Sequence, residues 1–263
     1  MSEAVLVSAR NITKSFSLGG KKRHIAVNSV SLDMFKGETL ALVGESGCGK
    51  STLARLIMRL IEADSGEILF DGTEISGLSG RALRPFRKRM QMVFQDPASS
   101  LDPRMRVRDI IAEPLEIWHV FRNRKETDER VRELLDMVEL KESSMDKYPR
   151  QFSGGQRQRI GIARAIALNP ELIICDESVS ALDVSVQAQI LNLLKRLKKE
   201  LGLSCLFISH DLSVVNFIAD RVCVMRNGEI CEIADSEKLY SRPEHEYTKY
   251  LLSTVNHGGR FSD

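Results

Sequence analysis

Gly44-Glu45-Ser46-Gly47-Cys48-Gly49-Lys50-Ser51-Thr52 packs three glycines, a lysine and three hydroxyls into nine residues. Gly44, Gly49, Lys50 and Ser51 stand at the fixed positions of a P-loop. Glycines at 44, 47 and 49 permit backbone angles that side chains obstruct, so loop N–H groups can converge on phosphate oxygens. The helix expected to follow adds its own N-terminal amides. Lys50 has the reach to meet the β- and γ-phosphates, and the Ser51 hydroxyl suits Mg²⁺. Ser46, Cys48 and Thr52 complete the candidate cradle. The implied chemistry is nucleoside triphosphate binding.

A second group lies far along the chain. Leu172-Ile173-Ile174-Cys175 runs into Asp176-Glu177, two carboxylates at a strand end. In this Walker B pattern Asp176 can hold Mg²⁺ through water. Glu177 can orient or deprotonate the water that attacks the γ-phosphate. Ser153-Gly154-Gly155-Gln156 precedes a helix expected over about residues 157–168. Ser153 stands at an N-cap-like position, and the glycines bare backbone N–H groups, making a second anion-binding helix start. Gln95, after the strand candidate 90–94, is placed to touch Mg²⁺ or the attacking water, or else faces solvent at a strand end. His210, at the end of another apolar strand, fits either a γ-phosphate contact or a structural role. Phe16 fits either purine stacking or a plain core position.

The elements that must position these groups can be read from periodicity. Leu40–Val43 reads as a buried strand, and Leu53, Leu56, Ile57 and Leu60 as one apolar face of the next helix. Residues 4–38 read as short strands broken by turns. With 66–76, where Asp71-Gly72 signals a hairpin, they predict a small antiparallel sheet. Residues 98–170 turn helical, with Val131, Leu134, Leu135 and Val138 in a stripe. Ile190, Leu193, Leu194, Leu197 and Leu201 predict a long helix, and Asn227-Gly228 a hairpin turn.

Composition bounds the alternatives. A chain of 263 residues, 43% hydrophobic and 28% charged, suits a soluble α/β domain with a lobe. A net charge of +2 gives no global field for nucleic acid, and none is expected as a partner. Basic clusters at 84–89 and 104–108 read as solvated faces or partner contacts. No apolar run nears the roughly 18 residues of a membrane span, and the N-terminus lacks a signal pattern. Five cysteines without a C-x-x-C pair argue against zinc or redox chemistry and for a reducing cytosol; Cys175, Cys205 and Cys223 read as buried.

Taken in order, Gly44 to Ser51, Gln95, Ser153-Gly154-Gly155-Gln156, Asp176-Glu177, Asp183 and His210 resemble the ATP-binding cassette (ABC) ATPases. The resemblance extends to about residue 255, and the Ser-Gly-Gly-Gln signature sets that family apart from other P-loop proteins. Phe94-Gln95-Asp96-Pro97, Ser99–Arg104, Ser180–Gln189 and the tail Arg242–Leu252 are similar to ATPase subunits of bacterial oligopeptide, dipeptide and nickel importers.

The resemblance implies an α/β fold: a P-loop NTPase core with an N-terminal antiparallel β-subdomain and an inserted helical lobe. The core would span about 1–95 and 171–240, the lobe about 96–170 and a tail about 241–263, all one ABC ATPase domain. It implies ATP and Mg²⁺ as cofactors, with Phe16 stacking on adenine, Gln95 linking the nucleotide to the membrane partner and His210 contacting the γ-phosphate. Ser153, Gly154, Gly155 and Gln156 would complete a partner subunit's ATP site, with Asp183 at the dimer junction. Catalysis would rest on Glu177, His210, Gln95 and Lys50, and metal binding on Ser51, Gln95 and Asp176.

The expected partners are a second ABC ATPase (a heterodimer, with a homodimer as the alternative), two transmembrane permease subunits and, indirectly, an extracytoplasmic solute-binding protein. The expected place is the cytoplasmic face of the bacterial membrane. The competing reading is a soluble, non-transport ABC ATPase. Against it, no long heptad insertion separates the motifs and there is only one P-loop. Phe152 and Ser178 depart from the wider family: phenylalanine at 152 is familiar in the peptide group, and Ser178, in place of proline, is expected to be tolerated. The tail lacks the cysteine cluster that some peptide-importer ATPases carry, so no iron–sulfur cluster is expected.

Overall fold

Thr39–Val43 and Leu172–Asp176 are strands in which every residue is buried. Parallel strands covered on both faces lose the alternation of a half-exposed sheet, so they read as continuous apolar runs. Leu40 and Leu42 are fully buried, and each such side chain contributes about 1.5–3 kcal/mol on leaving water. These strands come from a computed structural model that describes residues 4–17, 23–94 and 100–256.

In chain order the strands are β1 (Val5–Ser17), β2 (Arg23–Phe35), β3 (Thr39–Val43), β4 (Ser65–Phe70), β5 (Thr73–Glu74), β6 (Met90–Val93), β7 (Leu172–Asp176), β8 (Ser204–Ser209), β9 (Arg221–Arg226) and β10 (Glu229–Asp235). The helices used below are α1 (Lys50–Ile57), α2 (Gly80–Arg89), α3 (Val107–Ile117), α4 (Arg124–Met137) and α5 (Gly154–Ile166), then α6 (Val184–Leu201), α7 (Leu212–Ile218), α8 (Ser236–Ser241) and α9 (Glu246–Asn256). They form two units. One takes in the described residues up to Arg87 and from Ser204 onward, the other Lys88–Leu203.

The first unit holds an antiparallel sheet in the order β2-β1-β4-β5, the N-terminal β-subdomain expected from the sequence. Its two leading strands are longer than the turn signals suggested, at 13 residues each. Asn11 and Ser29 have positive φ, and the β1–β2 pairing shifts register between Ala9 and Ile12. Irregularities that look like turns in sequence are absorbed as bulges. In the same unit β3 lies parallel to both β8 and β9, and β9 pairs antiparallel with β10. The apolar face expected through Leu60 stops short. The helix ends at Ile57, Arg59 takes a left-handed φ of 53° and Leu60 is 49% exposed. Arg59 is itself buried and donates to the carbonyls of Ile75 and Leu78, 3.1 Å each.

In the second unit β6 and β7 form a parallel pair. The α4 stripe of Val131, Leu134, Leu135 and Val138 is fully buried. Glu139 joins three elements: its carboxylate accepts from Arg159 on α5 (2.7 Å) and Arg196 on α6 (3.0 Å), just past the end of α4. The basic clusters divide. Arg84, Arg87 and Lys88 are exposed, as a solvated face should be. Arg108 is buried instead, against the carboxylates of Asp128 (2.7 Å), Glu116 (2.7 Å) and Asp109 (3.2 Å). Arg89 forks onto Glu171 at 2.5 and 2.8 Å, where β6 and β7 begin.

Candidate functional site

In the first unit the phosphate loop grows from the end of β3. Val43 lies opposite Ser209 of β8 and Val224 of β9, so Gly44 and His210 leave the sheet at the same level. Gly44 has φ +152° and a Cβ there would lie 2.1 Å from the Met225 carbonyl oxygen; Gly49 has φ +110° and its Cβ would lie 2.1 Å from that of Ala26. Both positions therefore require glycine on conformation and on space. Gly228, in the β9–β10 turn, donates its N–H to the Cys48 carbonyl at 2.9 Å and accepts from Asn28 N–H at 2.8 Å. The hairpin turn legible in sequence thus braces the loop, a role its local signal could not disclose.

Gly49 is the N-cap of α1 and has no side chain to satisfy the helix's first amides. Those amides, with the helix dipole, suit a phosphate. The Lys50 ammonium, 4% exposed, donates to the carbonyls of Gly44 and Glu45, both at 2.8 Å, and lies 3.7 Å from Cys48 Sγ. Among the described residues these partners are neutral, so an anionic phosphate offers the counter-charge that the loop does not. Glu45, Ser46 and Gly47 form the exposed crest; Ser51 and Thr52 are half-buried. On these observations the loop fits a nucleotide's phosphates.

Phe16 is 40% exposed on β1, with Lys14 Nζ 5.8 Å from its ring centre. It pairs with His24, two residues from the Ala26 carbonyl that faces Gly49. Asp64 fixes this segment by accepting from Lys14 Nζ (2.8 Å), Ser15 N–H (2.8 Å) and Ser15 Oγ (2.7 Å). Led by the Lys14 bond, these contacts hold its carboxyl well below the usual range. Phe16 is thus presented at the surface rather than placed in the core.

In the second unit Val93 lies opposite Cys175, so Phe94, just past β6, is level with Asp176, the last residue of β7. Gln95, the next residue after Phe94, lies outside the described residues. Asp176 is 5% exposed. Glu177 has φ +46°, a left-handed conformation that costs a non-glycine residue about 1–3 kcal/mol and gathers at functional sites. Its carbonyl accepts from Ser180 N–H (3.2 Å) and Ser180 Oγ (2.9 Å), closing the turn. The Ser178 hydroxyl is buried with no hydrogen-bond partner among the described residues. Asp183 caps α6, accepting from Val186 N–H at 2.9 Å and Ser185 Oγ at 2.8 Å, and the first of these leads in lowering its pKa.

The helix after Ser153 starts three residues earlier than its periodicity suggested, because a capping box sets its first turn. Ser153 Oγ accepts from Gln156 N–H (3.3 Å), and Gln156 Oε1 accepts from Ser153 N–H (3.1 Å). Gly155 is buried, and a Cβ there would sit 2.3 Å from Val186 Cγ1. The second glycine thus lets α5 approach α6, as well as baring its amide. Gly155→Ala should lower unfolding stability by about 1–3 kcal/mol through overpacking. In a Val186→Ala background the same change should cost little, as urea denaturation of the four proteins would show. An equal loss in both backgrounds would rule out the packing explanation.

A family model described as "ABC transporter" matches residues 27–180, the stretch from β2 through Asp176-Glu177. The chain belongs to the ABC transporter family. It is an ABC ATPase and binds ATP. Its relatives include the oligopeptide transport ATP-binding protein OppF of Bacillus subtilis (strain 168), 56% identical over 88% of this chain and 76% of that protein. The dipeptide transport ATP-binding protein DppF of Lactococcus lactis subsp. cremoris is 48% identical over 95% of this chain and 81% of that protein. Among solved structures, the dimeric post-hydrolysis state of the cassette MJ0796 bound to ADP and Pi superimposes with a TM-score of 0.80 at 32% identity, covering 88% and 99% of the two chains. Clostridium perfringens cbiO1, part of the transporter complex cbiONQ, gives 0.81 at 26% identity over 97% and 96%. The α/β core, antiparallel β-subdomain and helical lobe of this ABC ATPase agree with that fold.

Proposed function

We propose that this ABC ATPase powers uptake of a small solute, a di- or oligopeptide, through a separate membrane permease. The observation that carries the reading is its 48–56% identity, over 88–95% of its length, to ATP-binding proteins of oligopeptide and dipeptide transport. Lys50 binds the phosphates and Phe16 stacks on the adenine. Glu177 orients the attacking water and takes its proton as the water oxygen bonds to the γ-phosphorus and ADP leaves. His210 steadies the γ-phosphate. Gln95 senses the nucleotide for the membrane partner. Mg²⁺, when bound, neutralises phosphate charge. Ser51 in the first unit and Asp176 in the second each carry an oxygen donor suited to it.

The assembly is two ATPase chains, this one and a related partner, each ATP lying between one chain's P-loop and the other's Ser153–Gln156. The dimeric state of MJ0796 supports pairing. Among the described residues no helix is long and apolar enough to cross a membrane. On this reading the chain works at the cytoplasmic face, docked on two permease subunits that receive solute from a binding protein, as its likeness to ATP-binding proteins of peptide transport supports.

The stretch from Gln95 to about Arg108, which carries the importer-like Ser99–Arg104 sequence, receives the permease in this reading. Leu101 in that segment is buried, so charge reversal at the exposed Arg104 is the cleaner probe. Purified from membranes, the tagged chain should bring hydrophobic permease subunits with it. Arg104→Glu should weaken that recovery and leave the isolated chain's ATPase rate unchanged. A wild-type chain that fractionates without membrane proteins would contradict the transport reading.

A further inference from the structure

The C-terminal helix α9 reaches the phosphate loop through Tyr247. This side chain is 4% exposed, packed with Val43, Val224 and Leu212 in the core below the loop. The Arg226 guanidinium lies 4.6 Å from its ring centre. Its hydroxyl oxygen accepts a hydrogen bond from the Glu45 N–H at 3.3 Å. The carbonyl of that same residue accepts from Lys50 Nζ at 2.8 Å and from the Cys48 N–H at 3.3 Å. Glu45 thus bridges a tyrosine from the far end of the chain and the lysine that meets phosphate.

The residues before Tyr247 build its mooring. Glu232 on β10 accepts from the N–H groups of Glu244 and His245, both at 2.9 Å, and His245 Nδ1 accepts from the Tyr247 N–H at 3.0 Å. The tail stretch Arg242–Tyr247 therefore fixes where one phenol sits.

We propose that Tyr247 is a positioning residue for ATP binding, holding the Glu45 backbone so that the loop stays formed when Lys50 turns from its carbonyls to phosphate. A loop already held loses less freedom on binding. Burial reinforces the arrangement by raising the phenol's pKa above its ordinary value, so it stays neutral. The inference rests on the P-loop being the nucleotide site.

The test is Tyr247→Phe in the full chain, which removes the hydroxyl and keeps the ring's packing against the core and Arg226. Binding of a fluorescent ATP analogue, steady-state ATPase kinetics and the nucleotide-free thermal midpoint are measured together. A net hydrogen bond of ordinary strength corresponds to about a 2- to 10-fold change in an equilibrium. The expected result is a rise of that size in Kd and in KM for ATP, with kcat unchanged. An unchanged Kd overturns the proposal, whether or not the midpoint falls, because a purely structural tyrosine would move only the midpoint. Failure of the wild-type chain to bind the analogue would instead remove the P-loop reading on which the proposal stands.

Discussion

Replacing Glu177 by glutamine should leave ATP binding intact and slow hydrolysis by about 10²- to 10⁴-fold, the range for losing general-base assistance. The amide is nearly isosteric and still orients water, but it cannot take a proton. The site is well suited to isolate that loss. Glu177 directly follows the buried Asp176, and its left-handed turn is closed by two hydrogen bonds from Ser180. The substitution therefore changes the functional group and not the turn. ATP should remain bound long enough for the two-chain assembly to accumulate, visible by size-exclusion chromatography after incubation with ATP and Mg²⁺. A wild-type hydrolysis rate would remove Glu177 from the role of base.

Lys50→Ala should have the opposite signature, with binding itself lost. Charge-assisted hydrogen bonds contribute about 1.5–3 kcal/mol each, so losing this ammonium should weaken ATP binding by about 10- to 100-fold or more. The same variant tests which chain completes each site. With Lys50→Ala here and a signature serine-to-arginine change in the partner, both lesions fall on one composite site and the other is spared. With Lys50→Ala and Ser153→Arg on this chain, both sites are damaged. ATPase activity of the second assembly should be clearly lower than that of the first. The reverse ranking would place loop and signature of one chain on one nucleotide.

The legible parts of this fold are those fixed by local physics. β3 and β7 could be read because a strand buried on both faces must be apolar at every position. The end of β7 could be read because the apolar run stops at two adjacent carboxylates, Asp176 and Glu177. What escaped depends on distant partners. Arg108 looked like part of a solvated cluster because Asp128 and Glu116, which neutralise it, lie 20 and 8 residues away in sequence. Gly155 looked like an amide donor, and nothing local shows that Val186 crowds its Cα. Leu60 matched the helical period, but the left-handed turn at Arg59 ends the helix before it. The brace from Gly228 to Cys48 and the bond from Glu45 to Tyr247 join residues about 180 and 200 positions apart. No window on the sequence contains both ends. Gln95 follows Phe94 directly and lies outside the described residues, so its role rests on the family resemblance.

The central claim is that ATP hydrolysis by this chain drives solute uptake. Its most direct test is peptide uptake into membrane vesicles bearing the assembled transporter, measured beside ATP hydrolysis by the same vesicles, with wild-type or Glu177→Gln chain. Uptake should fall in proportion to hydrolysis, with the chain still bound to the membrane and still holding ATP. Peptide uptake persisting at the wild-type rate while hydrolysis is lost would contradict the account.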